Sequence, residues 1–168
     1  MEYLRAACAA LIAVVFAASS VSKLRDFRGF ARSVPVLVPM PASAVLPVSM
    51  AVVAAEAGAA VFVVVPATAT AGFFLASLLL LAFAAAIGTA LRRGRPASCR
   101  CFGAADTPVG PRHLARNTVL LCFAVLGALA PEHLPPAAGA AVAVAAGGVV
   151  AVLVIAMDDI AVVFARSS

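Results

Sequence analysis

Cys99 and Cys101, separated by Arg100 and followed by Phe102 and Gly103, are residues whose types and spacing could do chemistry. A Cys-x-Cys pair closes only a very small, strained disulfide ring. Strain makes such a bond easily reduced, so it suits an oxidant or an exchange partner better than a structural staple. Arg100 lies between the thiols, with Arg95 and Arg112 near in sequence, and positive charge favours the nucleophilic thiolate. Gly103 permits an unusual turn, and Phe102 can anchor the loop at a membrane interface. Two other readings stay open. The thiols could be inert, or with His113 they could hold a soft ion, although a closed zinc site wants four ligands. Cys8 and Cys122 lie inside apolar runs, where a thiol packs as a small hydrophobe. They would form a second redox pair only if the fold brought them together.

Few other polar groups could reach these thiols. Glu56 is the one carboxylate near the middle of an apolar run, where an acid is expensive and points at a partner or a polar cavity. Its candidate partners are Lys23 and Arg116, which must both reach inward from membrane edges. A structural ion pair, a protonated carboxyl and a proton-handling role all fit. His113 and Asn117 are four apart and share a helix face, with Arg112 and Arg116 on the neighbouring one. His113 could exchange a proton during disulfide chemistry, and interfacial anchoring explains the same residues.

The elements that must position these groups are dictated by composition. Of 168 residues, 65% are hydrophobic and 11% charged, and the mean hydropathy is +1.14. A soluble domain cannot hide that much apolar surface, so the bilayer is the solvent. About 20 apolar residues cross the hydrocarbon as a helix. Five stretches qualify, at about 4–21, 44–65, 70–91, 113–130 and 137–157, the last continuing as helix toward Phe164. None alternates with the period of an outer-membrane strand. The expected fold class is all-α: one polytopic transmembrane helical bundle of four to five spans, filling residues 1–168 as a single domain in the cell membrane. The net charge of +5 orients spans rather than binding nucleic acid, for which no surface of useful size remains.

Lys23, Arg25, Arg28 and Arg32 oppose Asp26 in the first basic loop, and Arg92, Arg93, Arg95, Arg100 and Arg112 oppose Asp106 in the second. The positive-inside rule puts both loops, and the cysteine pair, on the cytoplasmic face. Thiol chemistry on a secreted partner would require the opposite. Met1–Arg5, the apolar run and Ala17-Ala18-Ser19 resemble a signal peptide, but the run is long enough to span and Lys23, Arg25 and Arg28 look like a retained flank. Ala84 with Gly88, and Ala143 with Gly147, have small-xxx-small spacing, which an alanine-rich chain also produces by chance. The prolines from Pro35 to Pro47, with Pro66, mark breaks and interfacial turns.

These residues resemble a known family. Ser22-Lys23 with Phe27 and Phe30, the Pro-rich entry to the Glu56 span, Arg93-Gly94, the Cys99-x-Cys101-Phe102-Gly103 loop and Arg116-Asn117 are similar to the MauE family, the methylamine utilisation membrane proteins, with DoxX-like four-helix proteins as relatives. The likeness runs over roughly residues 1–130. It implies a role in maturing an exported, disulfide-rich amine dehydrogenase subunit through thiol chemistry. The plan is also similar to the quinone-linked disulfide enzymes of the DsbB and vitamin K epoxide reductase class, which implies a membrane quinone as cofactor. Here the chain departs from them: its pair is Cys-x-Cys, and no second pair lies in a loop.

The leading expectation is therefore a thiol–disulfide oxidoreductase or maturation factor. Cys99 and Cys101 would exchange, His113 and Arg116 would assist, and Lys23, Glu56, Arg100, Phe102, Gly103 and Asn117 would support them. No metal is required. The expected partners are lipid, an amine dehydrogenase subunit or a thioredoxin-like protein. A non-enzymatic assembly scaffold is the alternative, and a metal or small-solute transporter built on Glu56 comes after it.

Overall fold

A hydrocarbon solvent leaves backbone polar groups no partner but one another, so each apolar run closes into a helix. The computed structural model describes residues 2–93, 111–132 and 136–166. They form helices α1 (Glu2–Arg25), α2 (Phe27–Leu37), α3 (Ala42–Val64), α4 (Ala69–Arg92), α5 (Pro111–Leu129) and α6 (Ala137–Arg166). A 3-10 turn, Pro66–Thr68, joins α3 to α4. No strand occurs among the described residues. The stretches Tyr3–Arg25, Ala42–Val64, Pro66–Arg92 and Ala137–Met157 are long and apolar enough to cross a bilayer. The shorter α5, of 19 residues, carries Arg112, His113 and Arg116 in its first two turns.

α1 is the hub. It packs against α3 and α5, and α4 closes the ring between those two, giving a four-helix bundle. The stripe on α1 that faces this ring is readable as Cys8, Leu11, Ile12, Val15 and Phe16, all at most 2% exposed, at helical spacing. Val63, Phe73, Leu80, Leu120 and Ala124 meet it from α3, α4 and α5. Leu78, Leu81, Val142 and Val152 are exposed outward, as lipid-facing side chains should be.

α6 lies outside the ring, mainly on α1. Ala143 and Gly147 face inward there, and a Cβ on Gly147 would run into the Ala7 carbonyl oxygen. That small-residue pair is a true helix contact. Ala84 with Gly88 is not, because Gly88 faces open space. At the α3–α4 connection, a Cβ on Gly72 would sit 2.5 Å from the Val63 backbone nitrogen, so glycine lets the first turn of α4 pack closely on the last turn of α3.

Two expectations are corrected. The segment after the first span is not a plain loop: Phe27, Phe30 and Val34 recur at helical spacing, and Asp26 caps α2 by accepting a hydrogen bond from the Gly29 N–H at 3.0 Å. Pro35 falls near the end of α2 and does not prevent it. Lys23, expected as a basic flank, lies within α1 and is buried. The last helix continues beyond its span as expected, reaching Arg166.

Candidate functional site

The α1 stripe that is apolar through Phe16 turns polar in its final turns. Ser19, Ser20 and Lys23 continue it and are 4%, 5% and 2% exposed. Ser19 and Lys23 are four residues apart and therefore stacked on one face. Opposite them, α3 presents Glu56, 1% exposed. Lys23 Nζ donates to Glu56 Oε1 at 2.5 Å and to Ser19 Oγ at 2.6 Å, and Ser19 Oγ donates to Glu56 Oε1 at 3.0 Å. The three groups close a triangle. The ammonium is also 5.4 Å from the Phe30 ring centroid and 5.2 Å from that of Phe83, within cation–π reach. Five helices thus meet here, because α5 adds Arg116 and Asn117, 4% and 7% exposed. Arg116 is close enough for its charge to act on Lys23.

These side chains line a cavity of about 60 Å³, whose remaining walls are apolar: Phe16 from α1, Phe30 and Leu37 from α2, and Leu80, Phe83 and Ile87 from α4. Glu56 Oε2 is buried and accepts no hydrogen bond from any described residue. The arrangement can hold α1 to α3 by an ion pair, relay a proton among three exchangeable groups, and offer hydrogen bonds to a small molecule.

Of the residues expected to act, Lys23, Glu56, Arg116 and Asn117 come together around this cavity. Between the two candidate partners of Glu56, Lys23 makes the direct contact. His113 is buried one turn earlier on α5 and does not line the cavity. Arg112 is exposed, so it parts from Arg116 despite their spacing. Cys99, Arg100, Cys101, Phe102 and Gly103 lie outside the described residues. Cys8 and Cys122 are free thiols, one in the core and one exposed, and do not form a second pair.

Sequence reasoning missed Ser19, although its i,i+4 relation to Lys23 was legible, and Phe83, for which no local signal exists. It also missed a second polar cluster at the other end of the bundle. There Arg5 donates to the Ala130 carbonyl oxygen at 2.9 Å and to Thr70 Oγ1 at 2.8 Å, and pairs with Glu132 at 3.3 Å. Thr70 donates to Glu132 Oε1 at 2.5 Å. In the sequence Arg5 stands out only as part of the signal-like start Met1–Arg5.

Comparison with curated proteins and with solved structures gives no match. A protein-family model does match: residues 1–130 fit that of methylamine utilisation protein MauE, covering every helix that builds the cavity. The chain is accordingly a multi-pass membrane protein belonging to the MauE family.

Proposed function

We propose that this protein is a membrane thiol–disulfide factor that helps mature an exported, disulfide-containing client, with Cys99 and Cys101 as the exchanging pair. The family description names methylamine utilisation, and an amine dehydrogenase subunit, the client the resemblance implies, is the first to test. The observation that carries the reading is the buried Lys23–Ser19–Glu56 triangle, joined by Arg116 and Asn117 from the first turns of α5. That helix follows the cysteine segment directly in the chain. Burying charge is costly, and well-packed apolar residues would hold helices together at least as well. Such a cluster is better explained by handling protons or a ligand.

The test is Cys99→Ser and Cys101→Ser, singly and together, with client thiols counted by alkylation. The variants should reach the membrane at normal level while the client accumulates free thiols. Normal client disulfides in the double variant, with client still co-purifying, would replace this reading by a non-enzymatic scaffold.

A further inference from the structure

α2 is too short to cross a bilayer. Its 11 residues make a rod of about 16 Å, against roughly 30 Å of hydrocarbon. Phe27, Phe30 and Val34 form its inner face and pack with Met40 and with Val52 and Val53 of α3. A short helix with one apolar stripe, joining the same ends of the spans α1 and α3, runs along the membrane surface. Its opposite face then meets the lipid head groups.

That face is cationic. Arg28 and Arg32 are exposed and four residues apart, so they stack in one row, and exposed Arg25 lies just before the helix. Between Glu2 and Glu56 the only acid is Asp26, which caps α2 on the Gly29 N–H. α4, which touches α2, brings exposed Arg92 and Arg93 to the same end. Apolar surface adjoins the charge. Val36, four residues beyond Arg32, is 40% exposed, and Leu46 and Met50 in the first turns of α3 are each 57% exposed. Guanidiniums at head-group level beside side chains open to acyl chains complement a lipid with a negative head group.

We propose that α2 and the first turns of α3 form a seat for an anionic phospholipid, its phosphate bound by Arg28 and Arg32 and its acyl chains lying on Val36, Leu46 and Met50. Arginine suits this role because its planar fork meets phosphate oxygens two at a time. A basic side chain at a membrane surface favours an anionic head group by a factor of about five. A lipid held there also fixes α2 against the bundle. α2 supplies Phe30 and Leu37 to the wall of the cavity beside Glu56, so the seat steadies that wall. It depends neither on the cysteines nor on the maturation reading.

The experiment titrates the purified full chain, in a neutral detergent, with phosphatidylglycerol and with phosphatidylcholine of the same acyl chains, and counts bound lipid by native mass spectrometry. Saturable retention of phosphatidylglycerol is expected, with phosphatidylcholine at least about tenfold weaker. Arg28→Gln and Arg32→Gln should each weaken phosphatidylglycerol about fivefold, and together about twenty-five-fold, with phosphatidylcholine unchanged. Both side chains are exposed, so the melting temperature in lipid-free detergent should not move. Arg28→Lys with Arg32→Lys keeps the charge and should keep most of the affinity, which separates lost charge from a disturbed α2. Equal retention of the two lipids would overturn the proposal, as would a phosphatidylglycerol affinity that the double glutamine variant leaves unmoved. Equally tight binding of glycerol phosphate without acyl chains would make the patch an anion site open to water and overturn the lipid seat. The Cys99→Ser/Cys101→Ser variant should bind lipid normally, so failure of the maturation reading and failure of this one are separable.

Discussion

Lys23 directs its ammonium at Ser19, Glu56 and the faces of two phenylalanines, so its removal strands a carboxylate in a low-dielectric interior. Lys23→Met and Glu56→Leu should each destabilise the protein by about 3–5 kcal/mol, the usual consequence of breaking a buried pair. The double variant should recover most of that loss, because two apolar side chains leave no uncompensated charge. Thermal unfolding in detergent checks the stability, and client maturation in the double variant shows whether the pair does more than join α1 to α3. Much of this was legible in sequence. A lone acid in mid-span has to have a partner, and both candidates for it were nameable. Ser19 was hidden because serine is common near span ends, and Phe83 because only the tertiary fold brings it to the ammonium.

At the scale of elements, the long apolar helices were readable because the bilayer fixes their length and their satisfaction of the backbone. α2 was obscured by Pro35 and by arginines that read as loop charge, although Phe27, Phe30 and Val34 already had helical spacing. The α1–α6 contact depends on the absence of a side chain. Gly147→Val should therefore cost about 1–3 kcal/mol by overpacking against Ala7, visible as a lowered melting temperature and faster proteolysis of α6. The Arg5 cluster ties the turn after α5 to α1 and α4. The Thr70 hydroxyl, and then the Arg5 charge, hold Glu132 below its ordinary carboxylate value of 4.5. A carboxylate lowered in the folded state stabilises above that ordinary value and loses the effect as pH falls through the folded one. Glu132→Gln should thus melt below the unaltered protein at pH 7, by a small margin because Glu132 is exposed. The gap should close as the pH is taken below 4.5.

For the whole molecule, burial changes the charge arithmetic behind sidedness. Arg5 and Lys23 are committed inside the bundle, while Arg25, Arg28, Arg32, Arg92, Arg93 and Arg112 remain exposed around one end. The positive-inside rule would turn that end to the cytoplasm, and the maturation reading requires the cysteine pair outside. In intact cells lacking Cys8 and Cys122, a membrane-impermeant maleimide should label Cys99 and Cys101 only after reduction. Labelling confined to opened cells would overturn the exported-client reading. Sequence alone leaves this undecided because an arginine looks the same whether it orients a span or serves a thiol. The ion pair also bears on biogenesis. Glu56 in mid-α3 has no charge partner until α1 stands beside it, and Lys23 on α1 none until α3 arrives. A charge at mid-helix costs about 2.5–3.5 kcal/mol on insertion scales, so α3 alone is disfavoured, while Lys23, in the last turn of α1, loses a buried position beside its partner. α1 and α3 should therefore settle into the bilayer together rather than one at a time. α6, which adds nothing to that cluster, can join afterward, so truncation before α6 should still leave a membrane-inserted core.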